Sequence, residues 1–149
     1  ILPFNHEQQA LMFSKKGLGF KVSFSSLQSS TKTGKQIFEL SDGDEVIGLR
    51  ELEGDSVIVL SSTFKMLIFS VRELPLLKKG KGVRLQRYKD EALLDLMLFS
   101  QKEKNDIIIK KLFPKTEDIS SWVGKRGQVG KMMPKKLLRK KITKFEDLL

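Results

Sequence analysis

The sequence contains no cysteine and only one histidine, one tryptophan and one tyrosine among its 149 residues. Without cysteine the chain can form neither a disulfide nor a thiolate metal site, which is typical of proteins from a reducing compartment. No apolar run approaches the roughly 18 residues that a membrane helix requires, and no signal-peptide pattern is present. We therefore expect a cytoplasmic protein without a membrane partner, and without a metal or cofactor.

Residue patterns typical of enzymes are also missing. His6 has no cysteine or second histidine with which to form a catalytic triad or a zinc site. Residues 34–35 read Gly-Lys, but a phosphate-binding loop would need glycine in place of Ser29 and a hydroxyl residue in place of Gln36. The two Gly-x-Gly pairs lack the third glycine of a dinucleotide site. We predict no catalytic constellation in this chain.

Positive charge is the dominant feature of the composition. The chain has 28 Lys and Arg against 18 Asp and Glu, a net charge of +10 and a pI near 9.8. Residues 77–89 and 124–144 are basic throughout and contain no acid. With 40% hydrophobic residues the chain is not a disordered basic tail. This balance predicts a polyanionic partner, with nucleic acid favoured over an acidic membrane or an acidic protein.

Short alternating segments bounded by turns predict an all-β fold, such as a sandwich, a barrel or a propeller-like array. The predicted strands are residues 10–13, 19–24, 37–40, 46–49, 57–60, 65–69, 83–85 and 107–109. Residues 116–122 predict a short helix capped by Thr116. After Pro134, apolar residues recur at helical spacing, which leaves a docked amphipathic helix and a frayed tail as alternatives.

The chain also repeats itself. Residues 14–22 align with 61–69, residues 33–37 with 79–83, and residues 42–49 with 89–96. When the first of these alignments is continued, Leu27 falls on Leu74. The first two copies lie roughly 46 residues apart, a period typical of one four-stranded blade. A third copy begins at Gly124 and places Gly127 on Gly17. We expect about three four-stranded blades, each with a hairpin, an anchoring leucine, a Gly-Lys turn and an outer strand pair.

Basic residues recur at equivalent positions of this repeat. If the units pack side by side, these residues form a track that neutralises phosphates and gives sequence-independent, salt-sensitive binding. The phenylalanines occupy apolar strand positions, so duplex binding with bending is favoured over base stacking on single strands. The predicted DNA contacts are Lys15, Lys16, Lys21, Lys32, Lys35, Lys65, Lys78, Lys79, Lys81, Arg84, Arg87, Lys125, Arg126, Lys131, Lys135 and Lys136.

Three motifs carry a resemblance to a known family. They are T-G-K-Q-I at residues 33–37, G-K-G-V-R-L-Q-R-Y-K-D at 80–90 and W-V-G-K-R-G-Q-V-G-K-M-M-P-K at 122–135. In this order they resemble the C-terminal domain of ParC, the A subunit of bacterial DNA topoisomerase IV, which is related to the A subunit of gyrase. The alphaproteobacterial branch is the most similar.

The resemblance implies a β-pinwheel whose basic edge bends duplex DNA. It also implies a parent enzyme, an ATP-dependent isomerase, in which the domain presents DNA for decatenation and supercoil relaxation on the nucleoid. The partners would be duplex DNA, the catalytic core of the same chain and the B subunit of the holoenzyme. Tyr88 does not match the family's active-site motif and is predicted to be structural. Residues 77–83 depart from the gyrase wrapping box, which favours topoisomerase IV over gyrase.

We expect residues 1–149 to form one DNA-binding domain, a fragment of a longer chain, with a basic tail at residues 134–149. The alternative is a basic propeller that docks to an acidic protein or to its own catalytic core. An exposed apolar patch on the disc would favour that alternative. A small-molecule enzyme is the least favoured of the three possibilities, because no catalytic site is predicted.

Overall fold

The computed structural model describes residues 8–26, 37–100, 107–140 and 142–148. The described residues form two four-stranded sheets, which confirms the all-β prediction. The strands are β1 (Gln9–Ser14), β2 (Leu18–Ser23), β3 (Val46–Glu51), β4 (Ser56–Ser61), β5 (Lys65–Ser70), β6 (Val83–Arg84), β7 (Leu93–Phe99) and β8 (Lys131–Met132). No helix in these ranges is long and apolar enough to cross a membrane.

Each sheet is built around a hairpin and is closed by a strand from further along the chain. The strand order is β3-β1-β2-β6 in the first sheet and β7-β4-β5-β8 in the second, and all the pairs are antiparallel. β6 follows the second hairpin in sequence but pairs with β2 of the first sheet. The chain therefore crosses back to close one unit before it completes the next, which ties the two units together.

The register confirms the repeat of the first two units. Hairpin β4–β5 repeats hairpin β1–β2 at a spacing of about 47 residues, and β7 repeats β3. β6 pairs with the beginning of β2 in the same way that β8 pairs with the beginning of β5.

The alignment of a third copy is wrong. Residues 124–132 are the counterpart of residues 77–84, which close a sheet, and not of the hairpin at 14–22. The described residues thus contain two sheets where about three blades were expected. The error has a physical origin: a hairpin turn and a closing loop both need glycine beside short basic strands, so their sequences look alike.

The core lies on both faces of the second sheet. All six residues of β4 are buried, because Val57 and Val59 pack toward the first sheet while Ile58 and Leu60 pack toward the C-terminal segment. Burial on both faces explains why β4 is a continuous apolar run and not an alternating strand. The first sheet has a separate cluster on its other face, which includes Phe20 and Phe38 at 5.0 Å between ring centroids.

The C-terminal segment covers the far face of the second sheet. It consists of α1 (Ile107–Leu112), α2 (Lys135–Leu138) and a 3-10 turn (Phe145–Leu148), with Leu137, Ile142, Phe145 and Leu148 all buried. The docked alternative for the tail is therefore confirmed, although it is not one continuous helix. The backbone N–H of Phe145 donates to the Asp95 carboxylate at 2.8 Å and fixes the tail to β7.

Three local predictions need correction. Residues 107–109 begin a helix and not a strand, because a short apolar run fits a buried helix as well as a strand. Residues 37–40 form only a single bridge, from Phe38 to Gly80. The helix at Thr116–Ser121 is present as a 3-10 helix, but Lys115 and not Thr116 precedes it as the cap. Leu27 and residues 33–36 lie outside the described ranges.

Candidate nucleic-acid interface

The two sheets present edges of opposite charge. One edge consists of β6, β8 and the loops around them, where residues 74–89 and 123–144 contain no Asp or Glu. The opposite edge of the first sheet is β3, and residues 42–55 around it contain six acids and a single base, Arg50. Because the charges are separated in this way, a polyanion is attracted to the edge formed by β6 and β8, which we call the basic edge.

Two equivalent glycines shape the basic edge. Gly82 and Gly130 precede β6 and β8 and have φ angles of +78° and +87°. A Cβ atom would lie 2.8 Å from the carbonyl oxygen of Gly19 at the first position and 2.5 Å from that of Met66 at the second. Only glycine allows both this backbone conformation and this close approach. The loops therefore bring β6 and β8 to the same place in the two units.

The first unit supplies five exposed basic residues to this edge. Only one of them forms an ion pair among the described residues: Lys79 Nζ lies 3.8 Å from the carboxylate of Glu39, and both side chains are solvent-exposed. Such a pair contributes little energy and can be exchanged for another anion. The five residues are Lys78, Lys79, Lys81, Arg84 and Arg87.

The second unit contributes Lys125, Arg126 and Lys131, but Arg126 is engaged inside the protein. Its Nε donates to the carbonyl of Glu73 at 3.1 Å and an Nη donates to the carbonyl of Arg84 at 2.8 Å. Its backbone N–H also donates to the Glu73 carboxylate at 3.1 Å. Arg126 thus joins the closing loop of the second unit to β6 of the first. Lys125 and Lys131 are exposed.

Lys15 and Lys16 lie in the turn of the first hairpin, beside the acidic turn that leads into β3. The backbone N–H of Lys15 donates to the Glu45 carbonyl at 2.9 Å. Lys16 donates its backbone N–H to the Asp44 carboxylate at 2.9 Å and its ammonium to the Asp42 carbonyl at 2.5 Å. The neighbouring acids weaken the positive potential here, so this turn is not equivalent to the basic edge.

The remaining predicted residues have different environments. Lys21 and Lys65 are half-buried on β2 and β5, and Lys65 lies 3.6 Å from the carboxylate of Glu91. Lys135 and Lys136 are exposed on α2. The predicted contacts at Lys32 and Lys35 lie outside the described residues.

Tyr88 is packed into the protein, as its predicted structural role requires. Its ring lies against Gly17, where any side chain would collide with it. Burial raises the pKa of the Tyr88 hydroxyl well above its ordinary value, and the nearby charge of Glu91 acts in the same direction. Within the described part of the chain this hydroxyl is buried without a hydrogen-bond partner.

Sequence reasoning missed two residues at the basic edge. Gln86 is fully buried, and its Nε2 donates to the carbonyls of Val129 at 2.8 Å and Lys65 at 3.2 Å, which links the two units. Trp122 lies under Lys131, whose Nζ is 4.8 Å from the ring centroid. The one sequence signal for Trp122 was its position, since the single tryptophan directly precedes the most basic segment.

Comparison with known proteins agrees with this architecture. The family described as DNA gyrase C-terminal domain, beta-propeller, matches residues 8–52 and 55–100, the stretches that contain β1–β3 and β4–β7. The E. coli ParC C-terminal domain superposes with a TM-score of 0.70 at 25% sequence identity, covering 88% of this chain and 58% of that chain. The predicted β-pinwheel class is thereby confirmed.

Sequence relatives give the same assignment. The A subunit of DNA topoisomerase 4 from Rickettsia conorii is 36% identical over 138 residues, and that from Rickettsia felis is 35% identical over 134 residues. Each alignment covers 90% of this chain and 18% of the relative, so the chain spans less than one fifth of their length. The predicted resemblance to ParC of the alphaproteobacterial branch is confirmed. The chain belongs to the family of DNA gyrase C-terminal domains with a β-propeller fold.

Proposed function

We propose that residues 1–149 form a non-catalytic domain that binds and bends duplex DNA within a type IIA topoisomerase of the topoisomerase IV kind. It would present DNA segments to a catalytic core in the same chain and to the B subunit of the holoenzyme, for decatenation and supercoil relaxation on the cytoplasmic nucleoid. One observation carries this proposal: the equivalent strands β6 and β8 and their loops carry exposed basic residues, and residues 74–89 and 123–144, which form them, contain no Asp or Glu.

The proposed mechanism is electrostatic. Lysines and arginines on β6, β8 and their loops neutralise phosphates and release the counterions condensed on DNA, a gain that does not depend on base sequence. A duplex that follows both edges must curve with them, and the energy of that deformation is offset by the additional phosphate contacts. The acidic surroundings of β3 repel DNA and restrict it to the basic edge.

Fluorescence anisotropy with two unrelated duplexes of equal length, titrated at several salt concentrations, tests this proposal. If about five phosphates are neutralised, log K falls with log salt at a slope near −4.5, which is about a 500-fold loss between 50 and 200 mM. Equal affinity for the two sequences is expected. A chain that does not bind at low salt, or whose binding ignores salt, would contradict the proposal.

A charge-reversed variant locates the binding surface. Lys79→Glu with Lys81→Glu is expected to weaken binding to both duplexes equally, because the contacts are to the backbone. The matched control is Lys110→Glu with Lys111→Glu, which introduces the same charge change at exposed residues of α1, an element that is not part of the basic edge. Equal losses in the two variants would show that net charge, and not the basic edge, governs binding.

The protein-docking alternative has one observation in its favour. β3 exposes three large apolar residues, with fractional exposures of 39% at Val46, 37% at Ile47 and 44% at Leu49. A purified topoisomerase IV core mixed with this domain would test docking directly. Binding that persists in excess duplex DNA and is lost in Leu49→Asp would support docking, whereas competition by DNA would favour the DNA-binding role.

A further inference from the structure

An open cleft of about 500 Å³ lies at the basic edge where the two units meet. One side is the segment from Trp122 to Gly124, which hydrogen-bonds to Ile68 of β5 at 3.0 Å and 2.8 Å. The other side is the loop from Gly127 to Lys131. Arg87, from the first unit, joins this wall because its backbone N–H donates to the Gln128 carbonyl at 2.9 Å. The cleft is therefore built from both units.

The charge of the cleft is entirely positive. Arg87 and Lys131 are its only ionisable lining residues in the described part of the chain, and no carboxylate faces it. Neither residue forms an ion pair there. A volume of this size accommodates a phosphate group with part of its sugar, since small-molecule sites begin at roughly 300 Å³.

Lys131 is held in position by an aromatic ring and not by an acid. Its ammonium lies 4.8 Å from the ring centroid of Trp122. The indole is itself fixed, since its Nε1–H donates to the Met132 carbonyl at 3.2 Å and its ring packs against Phe113 at 5.1 Å. A cation over a solvent-accessible aromatic face is stabilised by only about 0.5–1 kcal/mol. Lys131 can therefore turn to an anion at small cost, and it is already ordered at the cleft.

We infer that this cleft, which we call the junction cleft, receives one backbone phosphate of duplex DNA between Arg87 and Lys131. This inference rests on the proposed function and adds a fixed point to it: the DNA strand crosses from the first unit to the second at this phosphate. Binding moves the Lys131 ammonium from the indole to the phosphate, so the environment of Trp122 reports on the contact.

Trp122 emission gives a direct test, because this is the only tryptophan in the chain. Saturating duplex is expected to change the emission of the wild-type protein. The change is expected to be lost in Lys131→Gln and kept in the control Lys110→Gln. Unchanged wild-type emission at saturation, measured where anisotropy shows that DNA is bound, would overturn the inference and leave the proposed function standing. Absence of any binding would overturn the proposed function itself.

The salt dependence of DNA binding provides a second test. It distinguishes one phosphate bound by both Arg87 and Lys131 from two phosphates bound separately. Arg87→Gln with Lys131→Gln is expected to reduce the magnitude of the slope of log K against log salt by about 0.9, the value for one phosphate. Between 50 and 200 mM salt this variant is then expected to lose about 3.5-fold less affinity than the wild type does. The matched double variant Lys78→Gln with Lys125→Gln, at equivalent positions of the two units, is expected to reduce the slope by about 1.8. Equal reductions in the two double variants would overturn the shared-phosphate arrangement.

Inorganic phosphate distinguishes a DNA contact from a site for a free anion. Millimolar phosphate, compared with chloride at equal ionic strength and without DNA, is expected to leave Trp122 emission unchanged. An emission change in phosphate that matches the change in DNA would show that the cleft takes free phosphate, and would overturn the assignment to the DNA backbone.

Discussion

Arg126 is the residue for which sequence and structure give opposite expectations. Its place in a basic, glycine-rich loop predicts a DNA contact, whereas its guanidinium donates to the carbonyls of Glu73 and Arg84. Arg126→Ala removes both hydrogen bonds. Bonds that involve a charged group contribute about 1.5–3 kcal/mol, but this side chain is half-buried, so we assign about 1 kcal/mol to each. The expected loss is about 2 kcal/mol, or roughly 4–8 °C in Tm.

Urea unfolding followed by circular dichroism measures this loss, and Lys125→Ala is the matched control. Lys125 is adjacent and exposed, so its replacement is expected to change stability by less than about 0.5 kcal/mol. Arg126→Lys keeps the charge but cannot reproduce the planar two-bond geometry, so it is expected to lose about 1 kcal/mol while DNA affinity is retained. If Arg126→Ala and Arg126→Lys both unfold like the wild type, the structural role of Arg126 is refuted.

Three further predictions concern the stability of the fold, and urea unfolding checks each of them. Tyr88→Phe is expected to be neutral or stabilising at pH 7, because the hydroxyl is buried without a partner. Burial raises the pKa of Tyr88 in the folded state, so its contribution to stability is complete below the ordinary phenol pKa of about 10 and is lost as pH rises above it. The Phe variant should lose less stability between pH 9 and 11, and an identical pH profile would contradict this. Asp95→Ala removes both the acceptor of the buried Phe145 N–H and the ion pair with Arg50, and it is expected to cost about 2–3 kcal/mol. Asp95→Asn removes the ion pair but keeps an oxygen for the Phe145 N–H, so it should cost less; equal losses would show that the bond to Phe145 is not the cause. Gly130→Ala is expected to cost more than about 2 kcal/mol of stability, and more than Gly43→Ala. Both glycines have a positive φ, but of the two only Gly130 would place a Cβ against a backbone carbonyl. A larger loss in Gly43→Ala would contradict this.

Several features of the fold could be predicted because they depend on local chemistry. The alternation of apolar residues and the turn glycines determine β1, β2, β4 and β5, and the recurrence of the pattern after about 47 residues determines the two-unit repeat. Features that depend on distant partners could not be predicted. The short strands β6 and β8 each contain two residues, and nothing in two residues specifies which hairpin they join.

The predicted site was similarly limited to what charge can indicate. The basic residues were identified by type and recurrence, but type does not show whether a cation faces solvent or a carbonyl. Arg126 and Lys125 are neighbours in one basic loop. Arg126 donates to the carbonyls of Glu73 and Arg84, whereas Lys125 is exposed, and this difference depends on where the fold places those two carbonyls. Trp122 and Gln86 gave no chemical signal of their own, because their roles depend on residues from other segments.

The sequence by itself determined an all-β chain of repeated units with a large excess of positive charge, because periodicity, turn chemistry and net charge are properties of the residues themselves. Tertiary structure decided which strands close each sheet and that acids and bases separate onto opposite edges. It also decided that Arg87 and Lys131, although 44 positions apart, line one cleft. These are outcomes of long-range pairing, in which β6 returns to the first sheet and β8 closes the second.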